Sequence, residues 1–177
     1  PYLHKKIYGE DIKIDKKHFH ELSNNNKYDL ITLNHSFEHM SSQLELLFKI
    51  SEILAESGIC LIRMPIKTET IWKRYGINWV QIDAPRHYFL HTLKSFKLLI
   101  NKTDLNIRET VFDSTEFQFW GSEQYSRNIE LNSEKSFTIN PRKSIFTKKQ
   151  ILEYKEKAEQ LNIIQQGDQA AFFIFKK

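Results

Sequence analysis

The chain has 177 residues, 40% of them hydrophobic and 13% aromatic, which suffices for one domain with a sizeable core, while no apolar run approaches the roughly 18 residues of a membrane span. The net charge of +4 comes from scattered lysines such as Lys5-Lys6, Lys16-Lys17 and Lys148-Lys149, with no basic helix face, which argues against nucleic acid as a partner. The lone Cys60 lies inside an apolar stretch, which excludes a disulfide scaffold and makes a reducing cytoplasm the expected setting.

In chain order, residues 2–9 read as a helix or loop, and residues 11–15 alternate at period two, as a short strand near a sheet edge does. A short helix is expected over 16–22 and a turn over Ser23-Asn24-Asn25-Asn26. Residues 28–34 form an apolar, β-branched run that reads as a strand buried on both faces. The run then turns polar over Asn34, His35, Ser36, Glu38 and His39. Ser42-Gln43-Leu44-Glu45 fits a capping box, and Leu44, Leu47, Phe48, Leu54 and Ala55 make a helical apolar stripe that Gly58 should stop. Residues 59–64 predict a second buried strand, ended by Pro65. Strand, helix and strand make one βαβ unit, and open α/β sheets bind ligands at the carboxyl ends of their strands, where the polar cluster lies.

Residues 65–91 form a long connection, too rich in aromatics (Trp72, Tyr75, Trp79, Tyr88, Phe89) for a disordered linker, and predict a lid or pocket wall. A helix over 92–102, capped by Thr92, presents Leu93, Phe96 and Ile100 on one face, and a strand follows over 105–112. A second aromatic insertion over 113–140, with Phe117, Phe119, Trp120 and Tyr125, is broken by Pro141. Thr147 and Gln150 cap a last helix with the stripe Ile151, Tyr154, Ala158 and Leu161, and after Gly167-Asp168 comes a final strand over 170–175.

The run YDLITLNHSFEHM, followed by a helix and GICLIRMP, resembles the second half of class I S-adenosylmethionine (SAM) dependent methyltransferases, in the branch with a Glu-His pair after the fourth strand. YGINWVQIDAPRHYFLHTLKSF and FDSTEFQFWGSEQY are similar to segments of a bacterial subgroup of that branch linked to surface-glycan or secondary-metabolite pathways. The resemblance implies an α/β, Rossmann-like methyltransferase sheet, mostly parallel with an antiparallel last strand, as one domain with insertions at 65–91 and 113–146. It also implies SAM as cofactor and a small-molecule acceptor. The family's glycine-rich loop has no counterpart among the five unclustered glycines, and Pro1-Tyr2 matches a pair that follows the acidic end of the family's second strand. The first strands and that loop are therefore expected to be missing, SAM binding to be weak, and the exposed sheet edge to be covered by residues 11–15 or by a homodimer.

Methyl transfer requires an acceptor held in line and, for a hydroxyl, removal of a proton, for which histidine is suited. His35, Glu38, His39, His87 and His91 are the candidates, and of these His87, Glu38 and His39 are taken as catalytic. In Asp83-Ala84-Pro85-Arg86-His87, Arg86 suits a carboxylate or phosphate and His87 suits a base. Trp79, Asp83, Arg86, Gln118, Trp120 and Tyr125 are the expected acceptor contacts, and Asp15, Asn34, His35 and Ser36 the expected cofactor contacts. His35 to His39 also spells H-x-x-E-H, which on a continuous helix would hold zinc, so a metal-dependent hydrolase stands as an alternative. Some ubiquinone-pathway O-methyltransferases of this branch carry a metal-holding turn of similar spacing, but histidine replaces its first acid here, and no metal ligand is assigned. A further alternative is a non-catalytic interaction module with the same fold.

Overall fold

The computed structural model describes residues 17–177; the readings placed on 2–9, on 11–15 and on Asp15 lie outside them. Among the described residues one four-stranded sheet runs through the molecule in the order β1-β2-β4-β3. β1 (Tyr28–Asn34) pairs parallel with β2 (Leu54–Pro65), and β4 (Gln169–Lys176) lies antiparallel between β2 and β3 (Leu105–Phe112). Three strands therefore point one way and the last points back, as expected.

The crossover from β1 to β2 is α1 (Gln43–Ile53), whose Leu46, Leu47, Ile50 and Ile53 are buried against the sheet. Ser42 does stand at its N-cap, but the side chain makes no cap bond, so the expected capping box does not form. The helix also ends five residues before Gly58, because Leu54 and the residues after it are drawn into β2. The register between β1 and β2 jumps from Tyr28↔Leu54 to Leu30↔Ile59, and Gly58 lies inside that bulge, where an added Cβ would come within 2.8 Å of the Tyr28 carbonyl oxygen.

β1 is not buried on both faces. Ile31 and Leu33 enter the core whereas Leu30 is 63% exposed, since β1 is the edge strand of the described sheet and has cover on one face only. The main core joins the sheet to α1 and to α3 (Leu93–Ile100), whose Phe96 and Ile100 are buried and whose N-cap Thr92 accepts from Ser95 N.

The two aromatic insertions contain helices of their own. Residues 65–91 hold α2 (Glu69–Tyr75) and two 3-10 turns, Gly76–Asn78 and Val80–Ile82, and residues 113–146 hold α4 (Phe117–Tyr125). With α5 (Lys148–Ile163) they build a second core from Ile71, Trp79, Val80, Phe119, Ala158 and Leu161. Asp168 is buried beside this core and accepts from Trp79 Nε1 at 2.9 Å, but burial still pushes its carboxyl up to about 6.

Gly58→Ala should lower stability by about 1–3 kcal/mol through the clash at the bulge, read as a reduced urea midpoint with unchanged slope. Asp168 holds a proton in the folded chain up to about pH 6 that the unfolded chain loses near 3.8. Its contribution is thus complete below about pH 4 and is lost as the pH rises through 6, a change of roughly 3 kcal/mol. Asp168→Asn keeps an oxygen for Trp79 and cannot ionise, so wild-type stability should fall relative to this variant between pH 4 and pH 7; parallel curves would refute the assignment.

Candidate functional site

The candidate site lies at the carboxyl ends of β1, β2 and β3. β1 ends at Asn34, and His35 then takes a left-handed backbone (φ 48°) that redirects the chain into a single 3-10 turn, Phe37–His39. Phe37 anchors the turn: it is fully buried, with its ring edge-on to Phe96 at 5.6 Å, and its carbonyl accepts from Gln43 Nε2 at 2.8 Å. His91 Nε2 and Gln43 Oε1 are 2.7 Å apart; since Gln43 Nε2 is already donating, His91 is the donor. Burial lowers the pKa of His91, which joins α1 to α3 and is a structural residue away from the cleft.

The H-x-x-E-H residues do not share a helix. The left-handed His35 and the one-turn 3-10 segment break the continuity that a zinc-peptidase site needs, and α1 begins only at Gln43. The hydrolase reading therefore lacks its geometry. His35 is engaged by β2 instead. Arg63 Nη1 donates to its Nε2 at 2.6 Å, so the neutral ring carries its proton on Nδ1, 3.3 Å from Glu38 Oε1. Arg63, on β2, also donates from Nε to Asp113 Oδ2 at 2.5 Å and from Nη1 to Asn34 Oδ1 at 3.3 Å. Gln169 Nε2 holds the other oxygen of Asp113 at 2.9 Å.

Glu38 is 1% exposed, and neither of its carboxylate oxygens has a hydrogen-bond partner among the described residues. Around it are His35, His39 and His87. His39 Nδ1 lies 2.9 Å from the Arg86 carbonyl and His87 Nδ1 2.7 Å from the Gln81 carbonyl. A carbonyl only accepts, so both Nδ1 atoms carry the proton and both Nε2 atoms keep a free lone pair. His87 Nε2 is 3.9 Å from Glu38 Oε1 and 3.7 Å from Asp83 Oδ2.

These groups line a cleft of about 240 Å³ together with Val80, Gln81, Phe117 and Leu131. Of the expected acceptor contacts, Asp83, Arg86 and Tyr125 line it, and desolvation raises the pKa of the Tyr125 hydroxyl. Arg86 is held by Asp83 Oδ1 through Nε and Nη2 at 3.1 and 2.7 Å, leaving its other donors for an acidic group. Trp79, Gln118 and Trp120 are placed elsewhere: Trp79 is fully buried on Asp168, Gln118 bonds the Thr115 carbonyl, and Trp120 packs between Phe117 and Phe137. Asn34, His35 and Ser36 stand together where β1 leaves the sheet. Arg63 is a site residue that the sequence pattern did not mark as such, although a lone charge inside the apolar run GICLIRMP was a signal for it.

A family model described as a methyltransferase domain matches residues 3–110, more than half of the chain. No curated protein matches the sequence. Solved structures share the fold at low identity. A Galdieria sulphuraria protein assigned as a sarcosine dimethylglycine methyltransferase aligns with a TM-score of 0.55 at 15% identity, covering 98% of this chain and 62% of that one. The YcgJ protein of Bacillus subtilis aligns at 0.53 and 13% identity, covering 99% and 76%. An O-methyltransferase from a trans-AT PKS multienzyme of Brevibacillus brevis, in complex with S-adenosyl-L-homocysteine, aligns at 0.50 and 17% identity, covering 99% and 52%. The chain thus spans about three fifths of the length of the first of these relatives. The sheet order, the antiparallel β4 and these likenesses make this a Rossmann-like methyltransferase fold, and the chain belongs to the methyltransferase-domain family.

Proposed function

We propose that the chain serves SAM-dependent methyl transfer to oxygen, nitrogen or carbon of a small polar acceptor, with a nucleotide sugar or glycan precursor as the preferred class. The observation that carries this reading is the convergence of Glu38, His39 and His87, from two separate segments, at the carboxyl edge of a methyltransferase-type sheet. Asp83 and Arg86, on the same loop as His87, supply a charged pair suited to a phosphate or carboxylate on the acceptor, and Phe117 and Tyr125 supply ring faces.

The residues present fit one side of a SAM seat. The backbone turns sharply at His35, Ser36 has no capping bond to occupy its hydroxyl, and no described glycine run supplies the loop that the family places beneath the cofactor. When bound, SAM brings an electrophilic methyl group. The chain's own part is to hold the acceptor and manage its proton. His87 Nε2 is the basic atom available for that, fixed by the Gln81 carbonyl on its far side and faced by the Glu38 carboxylate, which stabilises the ring once it is charged. A cytoplasmic setting and a homodimer that covers the β1 edge belong to the same reading.

Two measurements test it. Calorimetric titration should find SAM binding weaker than micromolar; no binding at all would leave an interaction module. In the active enzyme, His87→Ala should lower turnover by roughly two to four orders of magnitude with SAM affinity nearly unchanged. An equal loss of SAM affinity would make His87 structural.

A further inference from the structure

We infer that Glu38, His39 and His87 form a site for one divalent cation of borderline character, Zn²⁺ being the best match to the donors. The inference rests on the proposed methyl transfer only for what the ion would act upon; with the ion bound, His87 Nε2 is a ligand, and the acceptor's proton leaves to solvent rather than to that ring.

Three observations carry it. One donor atom from each of the three residues lies within 4.8 Å of the others, although His87 is nearly fifty positions away in sequence. Next, the Glu38 carboxylate is buried and neither oxygen is hydrogen-bonded among the described residues, the His35 Nδ1–H standing 3.3 Å from Oε1, an arrangement that costs several kcal/mol unless a cation compensates it. Finally, both histidines donate Nδ1–H to backbone carbonyls, of Arg86 and of Gln81, the outer hydrogen bond by which metal-ligating imidazoles are oriented and made more basic.

Geometry also says which residues are not ligands. His35 is excluded because its Nε2 accepts from Arg63 and its Nδ1–H faces Glu38, so it orients the carboxylate from behind. The sequence motif H-x-x-E-H thus contributes its last two residues, and His87 takes the place of the first. Two imidazoles and one carboxylate suit Zn²⁺ or a neighbouring transition metal better than Mg²⁺, which prefers oxygen. Bonds of about 2.0–2.1 Å set tetrahedral donors roughly 3.3 Å apart, so donors that now lie within 4.8 Å of one another must close on the ion by at most about 1.5 Å. Three protein ligands leave a position open toward the cleft, where an acceptor or water oxygen fits and where its proton is more easily lost to solvent.

The test is calorimetric titration of the untagged chain with Zn²⁺ alone, repeated on Glu38→Gln, His39→Ala and His87→Ala, with circular dichroism to confirm that each variant is folded. One ion per chain is expected, with affinity falling at least tenfold in each variant, while His91→Gln, which alters a structural histidine outside the trio, should bind as the wild type does. Absence of stoichiometric binding, or binding unaffected by all three variants, would overturn the site. If a variant is unfolded, Co²⁺ added to the wild type decides: a spectrum of four- or five-coordinate Co²⁺ supports the site, and that of six-coordinate hydrated Co²⁺ refutes it. SAM titration is run separately, so zinc binding without SAM binding would refute the functional reading and leave this one standing.

Discussion

One guanidinium sets the geometry on which the rest of the site depends. Arg63 lies near the end of β2 and reaches Asp113 beyond β3 on one side and Asn34 and His35 at the end of β1 on the other. Because arginine keeps its protons, the nitrogen of His35 that faces it must accept, and the remaining proton of that ring is directed at Glu38. A single residue therefore fixes three strand ends, one tautomer and the position of a buried carboxylate. Arg63 and Asp113 are each about a third exposed, so the pair adds little to stability, and its importance is positional.

The second core makes the cleft possible. Residues 65–91 and 113–146 are each too short to bury their own aromatics, and they do so against each other and α5. Val80 N donates to Ser122 Oγ at 3.0 Å, and an added Cβ on Gly121 would stand within 2.9 Å of Val80 Cγ2, so the Val80 side chain packs directly on the backbone of α4. Trp79, Phe119 and Ile71 are fully or almost fully buried there, each worth a few kcal/mol of transfer free energy. This packing holds Asp83, Arg86 and His87 opposite the turn at Glu38, and the tie between Tyr88 N and the Glu38 carbonyl closes the arrangement.

Much of this was legible in the residues. The strand over 105–112, the caps at Thr92 and Thr147 and the parallel pairing of β1 with β2 follow from local patterns with one dominant cause, whereas the antiparallel β4 was implied by the family resemblance alone. The misreadings share another cause. The end of α1, the missing bond at Ser42 and the one-sided burial of β1 are decided by strand pairing and sheet position, which local periodicity does not encode. In the same way an aromatic insertion announces buried rings without saying which rings face a cleft. Trp79 and Trp120 had the composition expected of a binding wall, and tertiary packing gave them to the core while Phe117 and Tyr125 took the wall.

His39 and His87 are both oriented by main-chain oxygens, those of Arg86 and Gln81. At Gln81 the side chain plays no part in that duty, which belongs to the backbone carbonyl alone. What the bond to His87 requires there is a trajectory of the main chain rather than a particular side chain. The orientation of both imidazoles is thus written in the backbone path and not in any side chain that contacts them.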